Sequence, residues 1–233
     1  MKIAVMQPYL FPYLGYFQLV NSVDKFVFYD DVNFIKRGWI NRNRILVGEN
    51  PVYFTMSLEN ASQNKLINEI SLFEKKECID KIIKTITQNY KKAPYFQPTI
   101  DVVQSLFEKD INSISELAIE SVRMVSDYLD INTDFLISSK NFPHTRSFER
   151  ADRLIQIAKE LDGETYINAI GGQELYEKSY FKDKGLYLYF LNPQNIVYSQ
   201  FEKEFQPHLS IIDVMMHNSL EDIKRFLNQY DLI

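Results

Sequence analysis

Two continuous apolar runs near the start of the chain constrain its fold more than any other feature. Lys2-Ile3-Ala4-Val5-Met6 stops at Gln7-Pro8, and Lys25-Phe26-Val27-Phe28-Tyr29 stops at Asp30-Asp31. Neither run alternates apolar with polar residues, as a strand with one wet face would. Proline cannot continue a sheet ladder, so the first run ends at Pro8. About eighteen residues join the two runs, and Leu14 to Val20 among them has helical length and composition. Parallel strands need a crossover of roughly a dozen residues or more, so the pattern predicts a β-α-β unit. The turn after the first strand and the acids after the second then lie at the carboxyl ends of parallel strands, where open α/β sheets bind ligands.

Downstream, Ile45 to Val47 and Val52 to Leu58 read as strands around the turn-forming Gly48-Glu49-Asn50-Pro51. Ser71 to Tyr90 sets Ile79, Ile82, Ile83 and Ile86 at helical spacing with lysines opposite. Pro94 and Pro98 bracket a break, after which Thr99 to Glu108 and Ile114 to Leu129 are helical. Asp134 to Ser138 and Thr165 to Asn168 read as strands, with a helix between them capped by Ser147 and ending at Leu161. Gly171-Gly172 opens a small helix, Leu186 to Leu191 and Ile196 to Gln200 are strand-like, and the end is helical from Ser210. No internal repeat or linker is visible. The expected architecture is a single α/β domain over residues 1–233, a mostly parallel Rossmann-like sheet at the N-terminus with a helical block, about 71–130, inserted or appended in the middle.

Composition excludes some function classes. Fifteen Tyr and seventeen Phe against seven Gly describe an ordered chain with a large aromatic core. A net charge of −5 argues against general DNA binding, which clustered Lys and Arg must carry. The single cysteine, Cys78, permits no internal disulfide, fits a reducing compartment and falls among lysines in an amphipathic helix. No stretch approaches the roughly 20 apolar residues of a membrane span, and Met1-Lys2-Ile3 runs into the first strand without a signal-like region. A cytoplasmic protein with no membrane partner is expected.

Four constellations could carry chemistry. In Gln7-Pro8-Tyr9-Leu10-Phe11-Pro12-Tyr13-Leu14-Gly15-Tyr16-Phe17, two prolines fix the backbone and Gly15 allows close approach. This is either a ligand-binding turn, with Gln7, Tyr9 and Tyr16 as candidate contacts, or a stiff connection packing its aromatics inward. Asp30-Asp31 could hold Mg²⁺, orient a hydroxyl or accept a proton, or merely form a turn. Lys36, Arg37, Arg42 and Arg44 place four cations and no acid within nine residues around Trp39. With Asn41, they suit a diphosphate and a stacked ring; the alternative is a solvated basic loop. In the second half, Arg150 and Arg153 share a helical face, Gly171-Gly172 could form an anion nest, and Ser210 caps a helix carrying Asp213 and His217 one turn apart. That pair could be a base with its orienting acid, yet capping already explains Asp213. Only three histidines occur, with no third ligand in local register, so no metal site is expected.

Met6 to Phe17, Tyr29-Asp30-Asp31-Val32, Trp39-Ile40-Asn41-Arg42-Asn43-Arg44-Ile45 and Phe205-Gln206-Pro207-His208-Leu209-Ser210-Ile211-Ile212-Asp213 together resemble the WbqC-like protein family. The resemblance runs essentially end to end and implies a bacterial protein associated with surface-polysaccharide (O-antigen, lipopolysaccharide) genes and nucleotide-linked amino sugars. His217 stands where an apolar residue would be expected. The resulting expectation is a transferase that acylates or aminoacylates, glycyl being one candidate, the amino group of a nucleotide-linked amino sugar. Asp30, Asp31 and Asp213 are its candidate catalytic acids. An activated acyl donor, or ATP with Mg²⁺, would be the second reactant. A nucleotidyl- or adenylyl-transferase is the first alternative, weakened by the absence of paired histidines in the first turn. A non-catalytic nucleotide-sugar binding protein is the second.

Overall fold

The computed structural model describes residues 1–201 and 204–233. β1 (Lys2–Met6), α1 (Leu14–Asn21) and β2 (Lys25–Phe28) form the expected unit, with Ile3 opposite Lys25 and Met6 opposite Phe28 in a parallel pair. Because side chains alternate across a strand, Ala4, Phe26 and Phe28 enter a large apolar cluster on one face, while Ile3, Val5 and Val27 enter a smaller one on the other. Both faces are covered, which is why these strands read as unbroken apolar runs. Each buried Phe or Val stabilises the fold by roughly 1.5–3 kcal/mol.

β3 (Arg42–Val47) and β4 (Asn50–Thr55) make an antiparallel hairpin that is a sheet of its own. Three helices follow, α2 (Lys75–Tyr90), α3 (Phe96–Phe107) and α4 (Ile114–Tyr128), and their apolar stripes join the large cluster. α2 begins later than its periodicity suggests, because Ser71 and Leu72 are held extended by bridges to Ser113 and Leu58. Pro98 does not break the chain: it sits in the first turn of α3, where a missing N–H loses no intrahelical bond.

The chain then returns to the main sheet through β5 (Asp134–Ile137), α5 (Ser138–Asn141), α6 (Arg150–Glu160), β6 (Thr165–Ala169), α7 (Lys178–Asp183) and β7 (Tyr187–Pro193). It ends with α8 (Ile211–His217), α9 (Leu220–Phe226) and β8 (Tyr230–Leu232). Three expectations need correction. Ser147 does not cap α6; it closes a 3-10 turn begun by Pro143, and the helix starts after Glu149 without a side-chain cap. Ile196 to Gln200 is not a strand, because β8 already occupies the outer edge of β7 and the segment instead crosses toward α8. The C-terminal part is accordingly not all helix.

The result is an α/β fold with a six-stranded sheet in the order β5-β2-β1-β6-β7-β8, parallel throughout except for β8. The chain winds from β1 outward to β2 and β5, then returns to lay β6 and β7 on the other side. Between β1 and β6 the loops diverge in opposite directions, opening a crevice at the carboxyl ends, the usual ligand position of such sheets. Among the described residues, no helix is long and apolar enough to cross a membrane.

Candidate functional site

A cleft of roughly 430 Å³ occupies that crevice. Met6 and Gln7 at the end of β1 and Asn168 and Ala169 at the end of β6 form its floor. Its walls are aromatic: Tyr9, Tyr13, Tyr29, Trp39 and Tyr176. Gly171 and Gly172 line the β6 side, in a 3-10 turn over Ile170–Gly172. Gly172 lies close against its neighbour, since a Cβ there would stand 2.4 Å from Asn168 Nδ2 and displace that amide, whereas Gly171 has open space around it.

The free polar groups are neutral. Asn168 Oδ1 accepts from Ala169 N at 2.9 Å, which fixes the amide, and Nδ2 has no hydrogen-bond partner among the described residues. The Gln7 carbonyl accepts from Tyr16 Oη at 2.9 Å, and the Gln7 side-chain amide is likewise unpartnered among them. Burial, with a smaller contribution from Tyr13, pushes the Tyr9 phenol up to about 12. Burial also raises Tyr13, Tyr29 and Tyr176. At neutral pH the walls therefore offer O–H groups that donate as well as accept. Tyr16 is buried behind this surface, 5.5 Å ring to ring from Tyr9, and positions Gln7 and Tyr9 from inside.

The aromatic turn is pinned at Phe11, whose φ of 43° is unusual for a bulky residue. Its N–H donates to Ser121 Oγ at 3.1 Å, and its carbonyl accepts from Ser210 Oγ at 2.7 Å and Asn43 Nδ2 at 2.9 Å. Residues 7–17, 39–45 and 205–213, far apart in sequence, thus meet at one peptide unit. Such strain persists only where its surroundings over-determine it. Here the surroundings set the wall residues Tyr9 and Tyr13.

Asp30 and Asp31 are buried and do not face this cleft. Asp30 accepts from Ser139 Oγ at 2.6 Å, Ser139 N at 3.0 Å and Ser138 Oγ at 3.0 Å, and lines a separate depression with Ser139, Lys140 and Arg123. Asp31 accepts from Ser138 Oγ, and its Oδ2 lies 2.6 Å from Arg153 Nη2 and 3.8 Å from Arg146 Nε. The Arg153 guanidinium also lies 4.7 Å from the Tyr29 ring centroid, so the acid supports the cleft wall from behind.

Most of the basic segment is occupied elsewhere. Arg42 donates from Nε to the Gly38 carbonyl at 3.1 Å and from Nη2 to the Arg37 carbonyl, and its guanidinium covers Tyr53 at 4.4 Å. Asn41 Nδ2 donates to the Met56 carbonyl at 2.8 Å. Both hold their own loop, while Lys36 and Arg37 stand exposed just before Trp39. In the second half, Arg150 is exposed and Arg153 buried, so the two do not act as one face. Ser210 caps α8 by accepting from Ile212 N at 3.3 Å. Asp213 is sealed inside and accepts from Tyr90 Oη and Tyr198 Oη, both at 2.6 Å, and from Gln200 Nε2 at 2.9 Å. It makes no bond to His217, whose Nε2 is buried without a partner among the described residues.

Sequence reasoning therefore reached Gln7, Tyr9, Trp39, Gly171 and Gly172, which the fold brings together. It missed Asn168, Tyr13, Tyr29 and Tyr176. One signal was available for Asn168, a polar amide closing a short apolar strand just as Gln7 does. Among the described residues, no group of three His, Cys, Asp or Glu side chains is placed to hold a metal ion.

Comparison with known proteins gives two findings. The family model described as "WbqC-like protein family" matches residues 7–225. The chain is also similar to the "Uncharacterized protein Rv1507c" of Mycobacterium tuberculosis, 23% identical over 233 residues, which covers 98% of this chain and 99% of the relative. No solved structure matches.

Proposed function

The chain belongs to the WbqC-like protein family, and from that premise we propose that it is a transferase of surface-polysaccharide assembly acting on a nucleotide-linked amino sugar. The sugar lies in the β1/β6 cleft while its amino group receives an acyl or aminoacyl group from an activated donor. The observation that carries this reading is the chemistry of the cleft, aromatic walls with unpartnered amides and neutral phenols. Aromatic rings pack on the apolar faces of a sugar or base, and amides and phenols match its hydroxyl and carbonyl groups. Gln7 and Asn168 contact the sugar, Tyr9 and Trp39 stack on it, and Gly172 leaves the Asn168 amide room to do so. Lys36 and Arg37 meet the diphosphate. With the donor already activated, holding the two reactants in register supplies much of the rate. A thermal-shift screen of nucleotides and nucleotide sugars tests this. A nucleotide amino sugar should raise the melting temperature, and Gln7→Ala should abolish the rise. No stabilisation by any nucleotide sugar would overturn the reading.

The strand order favours a second reading, nucleotidyl or adenylyl transfer, because β5-β2-β1-β6-β7 is the winding of dinucleotide-binding sheets with the ligand at the same crevice. Pyrophosphate release from ATP and Mg²⁺ in the presence of an acceptor sugar would select it over acyl transfer.

A further inference from the structure

We infer that a second cavity, which shares Tyr13 with the sugar cleft, binds the activated acyl donor, and that His208 on its wall accepts the proton lost by the attacking amine. This rests on the acyl-transfer reading above and assigns the other half of its site. The cavity, roughly 270 Å³, lies where the start of α1 faces the end of β7 and the segment leading into α8. Tyr13 lines both spaces, so they adjoin at this residue, where the amine of one ligand would meet the carbonyl of the other. The Tyr13 ring is positioned by the Tyr13–Ser210 bridge and by Gly15, where a Cβ would stand 2.5 Å from Tyr13 Cε2 and 3.1 Å from Pro193 Cγ.

The cavity's chemistry differs from that of the cleft. Leu14, Ile196, Leu209 and Val214 give it apolar walls, and no cation lines it among the described residues. An acyl chain fits such a lining better than a phosphate does. One residue of its wall carries an enclosed acceptor without a partner among the described residues. Gln18, fully buried, donates from Nε2 to the carbonyls of Phe226 at 2.8 Å and Gln229 at 3.0 Å, leaving Oε1 without a partner among the described residues. An orphaned buried acceptor is unfavourable, and an amide N–H on the donor's carrier would satisfy it. The attacking amine then forms a bond to the donor's carbonyl carbon, the bond from that carbon to sulfur or oxygen breaks, and the leaving group takes up the proton accepted by the base.

His208 suits that role by position. It lines this cavity from its exposed rim, and among the described residues the other titratable side chains on both spaces are tyrosines. Imidazole is the side chain adapted to proton transfer near neutrality. Its backbone is held in the left-handed region, φ 57°, with its carbonyl accepting from Arg44 Nη2 at 3.0 Å. The other two histidines are committed elsewhere, His144 to Glu160 at 2.9 Å and His217 to the interior.

The test uses S-butyryl-N-acetylcysteamine, a thioester with an apolar chain and an amide N–H, observed by saturation-transfer NMR on the full chain. It should bind, and Ile196→Trp should weaken it roughly tenfold or more, a loss of about 1.4 kcal/mol or more. Leu14→Trp blocks the opposite wall should the first variant fail to fold. The His208 ring resonance, identified by its loss in His208→Asn, which keeps the left-handed backbone accessible, should shift with the probe while that of His144 stays. Unaltered binding in a folded blocking variant would overturn the donor site, and an unmoved His208 resonance would overturn the assigned base. A bound and displaceable thioester without any stabilising nucleotide sugar would leave the acyl site standing and remove the sugar reading. A stabilising nucleotide sugar with no thioester binding would do the reverse.

Discussion

Neighbouring ends of the same sheet solve opposite problems. After β2, Asp30 and Asp31 are buried with a serine, an arginine or a backbone N–H against their oxygens. After β1 and β6, Gln7 and Asn168 carry no charge and leave amide groups unpartnered among the described residues. The contrast follows from desolvation. A buried carboxylate must be paired to be tolerated, so the most conspicuous acids are consumed by the fold, while neutral amides at a cleft floor can wait for a ligand.

The largest test of that contrast is Arg153→Met. It leaves the buried Asp31 carboxylate with Ser138 and the more distant, exposed Arg146, and removing one partner of a buried pair costs up to about 3–5 kcal/mol, to be read from urea denaturation. Adding Asp31→Leu should recover much of the loss, because a buried pair replaced by apolar groups is often neutral. If the single variant instead kept its stability and lost nucleotide-sugar affinity, the acid would belong to the binding site and the contrast would collapse. Ser138→Ala should follow with a loss of about 1–3 kcal/mol, since Ser138 Oγ donates into the carboxylate pair.

At the other strand end the same measurements should diverge. Gly172→Ala places a Cβ against the Asn168 amide, the far end of a flexible side chain, so folding stability should change by no more than about 0.5–1 kcal/mol. The amide must move, so affinity for the stabilising nucleotide sugar should fall several-fold, while Gly171→Ala, with open space around it, should change neither. Equal losses of affinity in both variants would show that the turn's backbone, rather than the Asn168 amide, makes the contact.

Much of this was legible in the sequence. Continuous apolar runs and a crossover long enough for a helix gave the parallel pair and the crevice edge, because period and length depend on local chemistry. The place of Arg42 within the basic segment was not legible for a physical reason: whether it faces a phosphate or stacks on Tyr53 depends on the hairpin placed beside it, a tertiary fact. β8 escaped notice because a three-residue edge strand has too short a pattern to stand out from the helices before it. The pinning of Phe11 by Ser210 and Asn43 joins residues far apart in the chain, and no local periodicity encodes such a bond.

His217 provides the smallest effect and extends the contrast to a base. It is half-buried beside Phe201, 4.7 Å ring to ring, with Tyr90 and Tyr198 farther out, its Nε2 is enclosed, and Asp213 is the nearby acid. Burial lowers its pKa, and the Asp213 charge opposes the shift only in part. A histidine whose Nε2 is enclosed without a partner holds its proton less readily than it would in water, whereas the buried Asp31 is paired with Arg153. As pH falls, the unfolded chain therefore binds this proton before the folded one does. Stability is unaffected above the ordinary histidine value near 6.5 and declines as pH falls from there through the lowered folded value. His217→Leu removes the site and should flatten that part of the profile, leaving stability near pH 8 little changed. Urea midpoints of the two proteins between about pH 5 and 8 decide it: curves that run parallel below 6.5 would mean that the folded protein admits the proton, through an opening of the region around Asp213.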